Sequence, residues 1–117
     1  MGLFSANKAG IGYLTGDTVK QESTITTAVT INELSGQVET VSESWDAGAT
    51  KFFSVNNTCV DASDVICVAV QAGDDKSFAN VVKIQDKSFH IAVTNFSENE
   101  MSGVVVKVNF VVIKGNF

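Results

Sequence analysis

The chain has 117 residues, 44% of them apolar and 18% charged, with a net charge of −5. A single core serves a chain of this length, and the composition excludes a disordered polypeptide. All the positive charge is Lys, because Arg is absent, as is Pro. No basic cluster exists to set against phosphates, so nucleic acid is not an expected partner, and an anionic membrane surface is excluded on the same ground. Val, Thr, Ile and Phe recur while Leu is scarce, which is the composition of pleated, half-buried strands.

In chain order, residues 1–17 mix Gly10, Gly12 and Gly16 with isolated large apolar residues, Leu3, Phe4, Ile11, Tyr13 and Leu14. Neither a two-residue nor a 3.6-residue period fits them, so this segment reads as an extended arm. Its five apolar side chains are the candidate partner contacts. Each would contribute about 1.5–3 kcal/mol when buried, offset by about 1–2 kcal/mol per residue for ordering the backbone. The segment lacks the charged start and apolar run of a signal peptide. Gly10-Ile11-Gly12 follows no strand and opens no helix, so it is not a phosphate loop.

Residues 18–117 read as one β-sandwich domain. Residues 24–31 alternate, with Ile25, Val29 and Ile31 on one face and Thr residues on the other, which predicts a half-buried strand. Further strands are expected at 37–41, 50–55, 65–70, 78–84, around 89–93 and at 104–113. Glu43–Gly48, which contains Trp45, is expected to make one short helical turn. Residues 65–70 are apolar on both faces, which predicts a central strand with Cys67 buried in it. Turns are expected at 34–36, 73–75 and 86–87, and residues 95–103 form a polar loop. Seven or eight strands at this spacing define an all-β, antiparallel sandwich of jelly-roll type.

Catalytic chemistry is sparse. His90 is the only imidazole and faces away from the Phe89, Ile91 and Val93 side of its strand, where a solvated or interface role is expected. Cys59 and Cys67 are expected as free thiols rather than a disulfide framework. With no ligand-spaced His or Cys and no nucleophile elbow, no metal, cofactor or catalytic residue is expected, and the chain is not read as an enzyme. Asp61-Ala62-Ser63-Asp64 reads as a turn, not a cation loop. Lys107 and Lys114 read as charges that keep the last strand from aggregating. Phe52 and Phe53 are adjacent in a strand, so one of them must find a partner outside the core.

An ordered set of segments resembles a small β-rich module of the virion structural proteins of tailed bacteriophages. It comprises Gly16–Gln21, Thr26–Asn32, Ser35–Val38, Ala47–Ala49, Phe53–Asn57, Ala62–Ile66 and Val108–Gly115. The match spans about residues 16–115; the Asp74–Ser77 turn and the cysteines depart from the pattern. The resemblance implies a structural protein without catalysis: a capsid decoration (cement) protein on the outer head surface, assembled in the host cytoplasm. It implies the major capsid protein as partner and a homo-oligomer, a homotrimer at local threefold positions. The acidic charge is consistent with the capsid exterior, since a surface facing packaged DNA would not be negative. The alternative it implies is a tail or fibre module that binds a receptor or glycan through loops 71–77 and 95–102.

Overall fold

In a computed structural model, residues 4–5, 12–13, 17–72 and 76–115 are described, with Phe4, Ser5, Gly12, Tyr13 and Ala72 described as backbone alone. The described chain is all-β. Its strands are β1 (Phe4–Ser5), β2 (Gly12–Tyr13), β3 (Asp17–Lys20), β4 (Val29–Thr30), β5 (Ser35–Glu39) and β6 (Glu43–Trp45). Then follow β7 (Thr50–Asn56), β8 (Val65–Ala72), β9 (Ser77–Gln85), β10 (Ser88–Asn95), β11 (Met101–Val104) and β12 (Lys107–Ile113). Two four-stranded sheets, ordered β3-β5-β12-β8 and β4-β7-β10-β9, make the sandwich. β6 and β11 pair beside it, and β1 and β2 pair with each other. This is more strands than the seven or eight expected.

The core is built by alternation. On β10, Phe89, Ile91 and Val93 face inward and are buried; on β12, Val108, Phe110 and Val112 do the same. The two central strands meet through the rings of Phe89 and Phe110, whose centroids lie 5.1 Å apart in an edge-to-face arrangement. Val38 from β5, Phe53 and Val55 from β7, and Ile66 from β8 complete this layer.

Several local expectations are corrected. The sheets are mixed, not purely antiparallel, because β3 pairs parallel to β5 and β4 parallel to β7. The chain leaves β3, visits the opposite sheet at β4 and only then returns to β5. A parallel neighbour reached by such a crossover follows from that route. Ile25, Val29 and Ile31 are all buried, yet only Val29–Thr30 is strand. The buried Gln21 side chain donates to the carbonyls of Ile25 (2.8 Å) and Thr27 (3.0 Å), and the Thr27 amide bonds the Thr24 carbonyl. Thr27 Oγ1 also accepts from the Thr24 amide at 3.0 Å. These local polar bonds compete with a ladder and hold 24–27 as a turn.

Glu43–Trp45 is strand, not a helical turn, because β11 arrives to pair with it: Trp45 opposes Met101 and Glu43 opposes Val104. The expected strand 104–113 is broken at 105–106, where the Val106 amide bonds the Thr40 side-chain oxygen at 2.9 Å. That bond, with the Thr40 amide donating to the Val106 carbonyl, bends the β5–β12 ladder into the β6–β11 pair. The 73–75 turn lies outside the described residues. The 86–87 turn is present, with Lys87 in the left-handed region at φ 67°.

β8 is an edge strand rather than a central one, and Cys67 is exposed on it. Only Ile66 is buried, with Val68 and Val70 packed partly against the core. The apolar residues of the other face, Val65, Cys67 and Ala69, point outward.

Gly36 sits in β5, not in a turn, because the Phe110 ring lies over it. A Cβ there would come within 2.8 Å of that ring and 3.0 Å of Ile31. Gly36→Ala should therefore destabilise the fold by about 1–3 kcal/mol, through overpacking against a buried ring. Urea denaturation measures this; an unchanged midpoint would show that Phe110 can yield.

Candidate interaction surface

The outer face of the β4-β7-β10-β9 sheet carries three rows of side chains set by register. Thr50, Thr94 and Phe78 share one row, and Phe52, Ala92 and Asn80 the next. Ser54, His90 and Lys83 form the third. The register slips between His90 and Ile91, leaving Val82 as an extra residue on β9 beside Lys83. Phe53 is buried at 2% exposure while Phe52 is 52% exposed, so the doublet is divided between core and surface. Phe78 and Phe96 lie 5.8 Å apart between ring centroids, both about half exposed. Ala92, between Phe52 and Asn80 in its row, is buried. A shallow depression beside Phe96 is lined by Lys76, Ser97, Glu98 and Asn99.

The loop that presents Phe96 is fixed by Asn95. Its side chain is buried and donates to the carbonyls of Trp45 (3.2 Å), Asp46 (3.1 Å) and Asn99 (2.9 Å). Its Oδ1 accepts from the Ser97 amide at 3.0 Å and the Ser97 hydroxyl at 2.9 Å. The sequence shows Asn95 only as a turn residue; its structural load becomes visible once three carbonyls converge on it.

The outer face of the other sheet is divided. Lys20 and Lys107 both pair with Glu39 at one end. In the middle, Gln37 Nε2 donates to the side-chain oxygens of Asn109 and Gln71. At the far end Val65 opposes Ile113 and Cys67 opposes Val111, an apolar corner in which Val65 and Ile113 are nearly half exposed.

That corner is bounded by a polar lock. Lys114 Nζ lies 2.6 Å from Asp64 Oδ2 and 3.0 Å from Asp61 Oδ2, and donates to the Cys59 carbonyl at 2.7 Å. The fully buried Asp64 carboxylate also accepts from the backbone amides of Asp61 and Gly115. Lys114 thus ties the C-terminal strand to the 61–64 turn, beyond the surface role expected of it. Burial alone would raise the Asp64 pKa, but the Lys114 hydrogen bond, the two amides and the Lys114 charge outweigh it and hold it below the usual value. The hydrogen bond to Asp64, against an opposing burial effect and with help from Asp61, raises Lys114 above the usual Lys value.

Of the five residues expected to make partner contacts, Phe4 and Tyr13 oppose each other in the β1–β2 pair. Leu3, Ile11 and Leu14 lie outside the described residues. β3 begins at Asp17, the last residue of the expected arm. His90 is half-buried and faces outward on β10, whereas Cys67 faces outward on the other sheet, so these two do not form a thiol–imidazole pair. Cys59 and Cys67 are both free, and the Cys59 thiol donates to the Asn32 carbonyl. Among the described residues, no group of three His, Cys, Asp or Glu side chains converges to hold a metal ion. No helix among the described residues is long and apolar enough to cross a membrane. No family model, curated protein or solved structure matches the chain.

The lock sets a pH window. Asp64 has a lowered folded pKa, so its contribution is present above the ordinary carboxylate value near 3.9 and is lost as pH falls through the folded value. Lys114 has a raised folded pKa, so its contribution is present below the ordinary Lys value near 10.4 and is lost as pH rises through the folded one. Asp64→Ala leaves two amides and Lys114 without this partner and should cost roughly 2 kcal/mol at neutral pH. The wild-type advantage should shrink below about pH 4. Urea midpoints of both proteins across pH measure it, and a pH-independent difference would refute the assignment.

Proposed function

We propose that the chain is a bacteriophage virion structural protein, a capsid decoration protein that binds the outer head surface and stabilises it as an oligomer. The observation that carries this reading is the division of the Phe52–Phe53 doublet. The core takes one ring, and the other stands outward on a sheet face that also carries Val82 and the Phe78–Phe96 ring pair. Monomeric folding gives no reason to keep four large apolar side chains on one solvated face, whereas contact with a neighbouring subunit of an assembly does. The pairing of β1 with β2, separate from both four-stranded sheets, supports an N-terminal segment available for contact with a neighbouring subunit. The ordered resemblance over residues 16–115 supplies the virion context, and the absence of a converged catalytic or metal set among the described residues is compatible with it.

The second reading, a tail or fibre module binding a receptor or glycan, draws on one feature. Phe96 stands half exposed beside the open depression lined by Lys76, Ser97, Glu98 and Asn99, where an aromatic ring could lie against a sugar. Copy number separates the two. Quantitative mass spectrometry of purified particles should find the chain in amounts comparable to the major capsid protein; amounts matching the tail proteins would favour the second reading.

Removing residues 1–15 takes away β1 and β2, which pair apart from both four-stranded sheets, and should leave those sheets intact. The shortened chain should keep its far-UV circular dichroism spectrum and lose capsid binding by at least tenfold, as expected when about 1.4 kcal/mol or more of contact is removed. Undiminished binding would show that the arm is not the contact.

A further inference from the structure

Two apolar patches stand outward on this chain, and they differ in charge. The four strands β4, β7, β9 and β10 contain none of the chain's 13 carboxylates. Of their charged or titratable residues, Lys51 is drawn to Glu43 at 3.4 Å, while Lys83 and His90 face outward beside Phe52 and Val82. The strands of this face therefore carry an outward cation, Lys83, and no carboxylate, while the loop at the Phe96 end sets Glu98 beside Lys76, on a protein of net charge −5. The other patch, Val65, Val111 and Ile113, has the opposite charge beside it. Asp61 and Asp64 stand against the single charge of Lys114, leaving one net negative charge, and the Asp61 side chain is 67% exposed.

We infer that a second copy of this chain docks on the Phe52–Phe78 face through its Val65–Ile113 corner. Both halves of a charge-complementary contact are present on one chain. Pairing the Phe face with itself would bring two copies of Lys83 into one contact, with no carboxylate on either set of strands to offset them. The two patches lie on opposite sheets, so the contact is heterologous: each copy uses one patch on each neighbour, and the product is a ring or an open chain rather than a two-fold dimer. The apolar side chains supply the centre, and the opposed charges set which surface is accepted. The inference stands without the virion reading, because it concerns the chain alone.

The test is complementation. The face variant Phe52→Ser/Phe78→Ser and the corner variant Val65→Ser/Ile113→Ser alter only outward side chains, and circular dichroism checks that each is folded. By size-exclusion chromatography with light scattering at low salt, wild type should run above dimer mass and each variant as a monomer. An equimolar mixture should contain 1:1 heterodimers, because one partner keeps the face and the other the corner. Lys83→Glu, which removes no apolar group, should weaken wild-type association several-fold at low salt and much less at high salt. A monomeric wild type, an oligomer that survives either double variant, or a mixture that stays monomeric overturns the inference. Should a double variant fail to fold, Lys83→Glu decides the matter by the same readout: undiminished association at low salt refutes it.

Discussion

The sandwich depends on the meeting of its two central strands through Phe89 and Phe110. Both rings are buried, and both strands have hydrogen-bonded neighbours on either side, so this contact joins the layers where neither strand can slip without turning its inward residues out. Gly36 follows from it, because the Phe110 ring occupies the space a side chain on β5 would need. The alternation that places Phe89 inward also places His90 outward, and the pairing of β10 with β7 buries Phe53 and exposes Phe52. The outer face is thus the mirror of the core: its residues are those that packing left free.

That freedom is what makes the outer residues informative about function. A face with no role in the interior can carry any polar side chain, and β12 and β5 do so with Gln37 and Asn109. The β7-β10-β9 face carries Phe52, Phe78 and Val82 instead, while the neighbouring Thr50–Thr94 pair and Ser54 show that polar residues are tolerated in the same register. The polar locks at the ends of the sandwich make these faces rigid. Asn95 holds the 96–100 loop under Phe96, and Lys114 holds the last strand to the 61–64 turn beside Val65 and Ile113. A rigid apolar face loses less entropy on docking than a mobile one, and this favours recognition through preformed surfaces.

Much of this was legible in the residues. Strands with strict alternation and a turn at each end, 50–56, 77–85 and 88–95, stand close to where their patterns put them, because periodicity reports directly which side chains are buried. What was not legible came from three causes. Gln21 and Thr24–Thr27 satisfy one another locally, and no periodic count sees side-chain bonds to backbone. Trp45 becomes strand only because Met101, far along the chain, pairs with it, and Thr40 breaks the last strand through a similarly distant bond. Val65, Cys67 and Ala69 were misleading because apolar residues on both faces predict a central strand, but on β8 the outward ones remain exposed at an edge. The candidate surface was half visible, since adjacent Phe52 and Phe53 cannot both be inside. Phe78 and Phe96 could not be joined to them until the register of β9 and the anchoring of Asn95 were known.

The claim that the outward apolar residues are contact surfaces, rather than incidental exposure, is tested most directly by hydrogen exchange at the backbone as concentration is raised. Amides over Phe78–Lys83 and over Val65–Cys67 should slow together in concentrated protein, while those of the Lys20–Glu39–Lys107 end stay as they are in dilute solution. Exchange unchanged at every concentration, or slowing confined to one of the two patches, would contradict it.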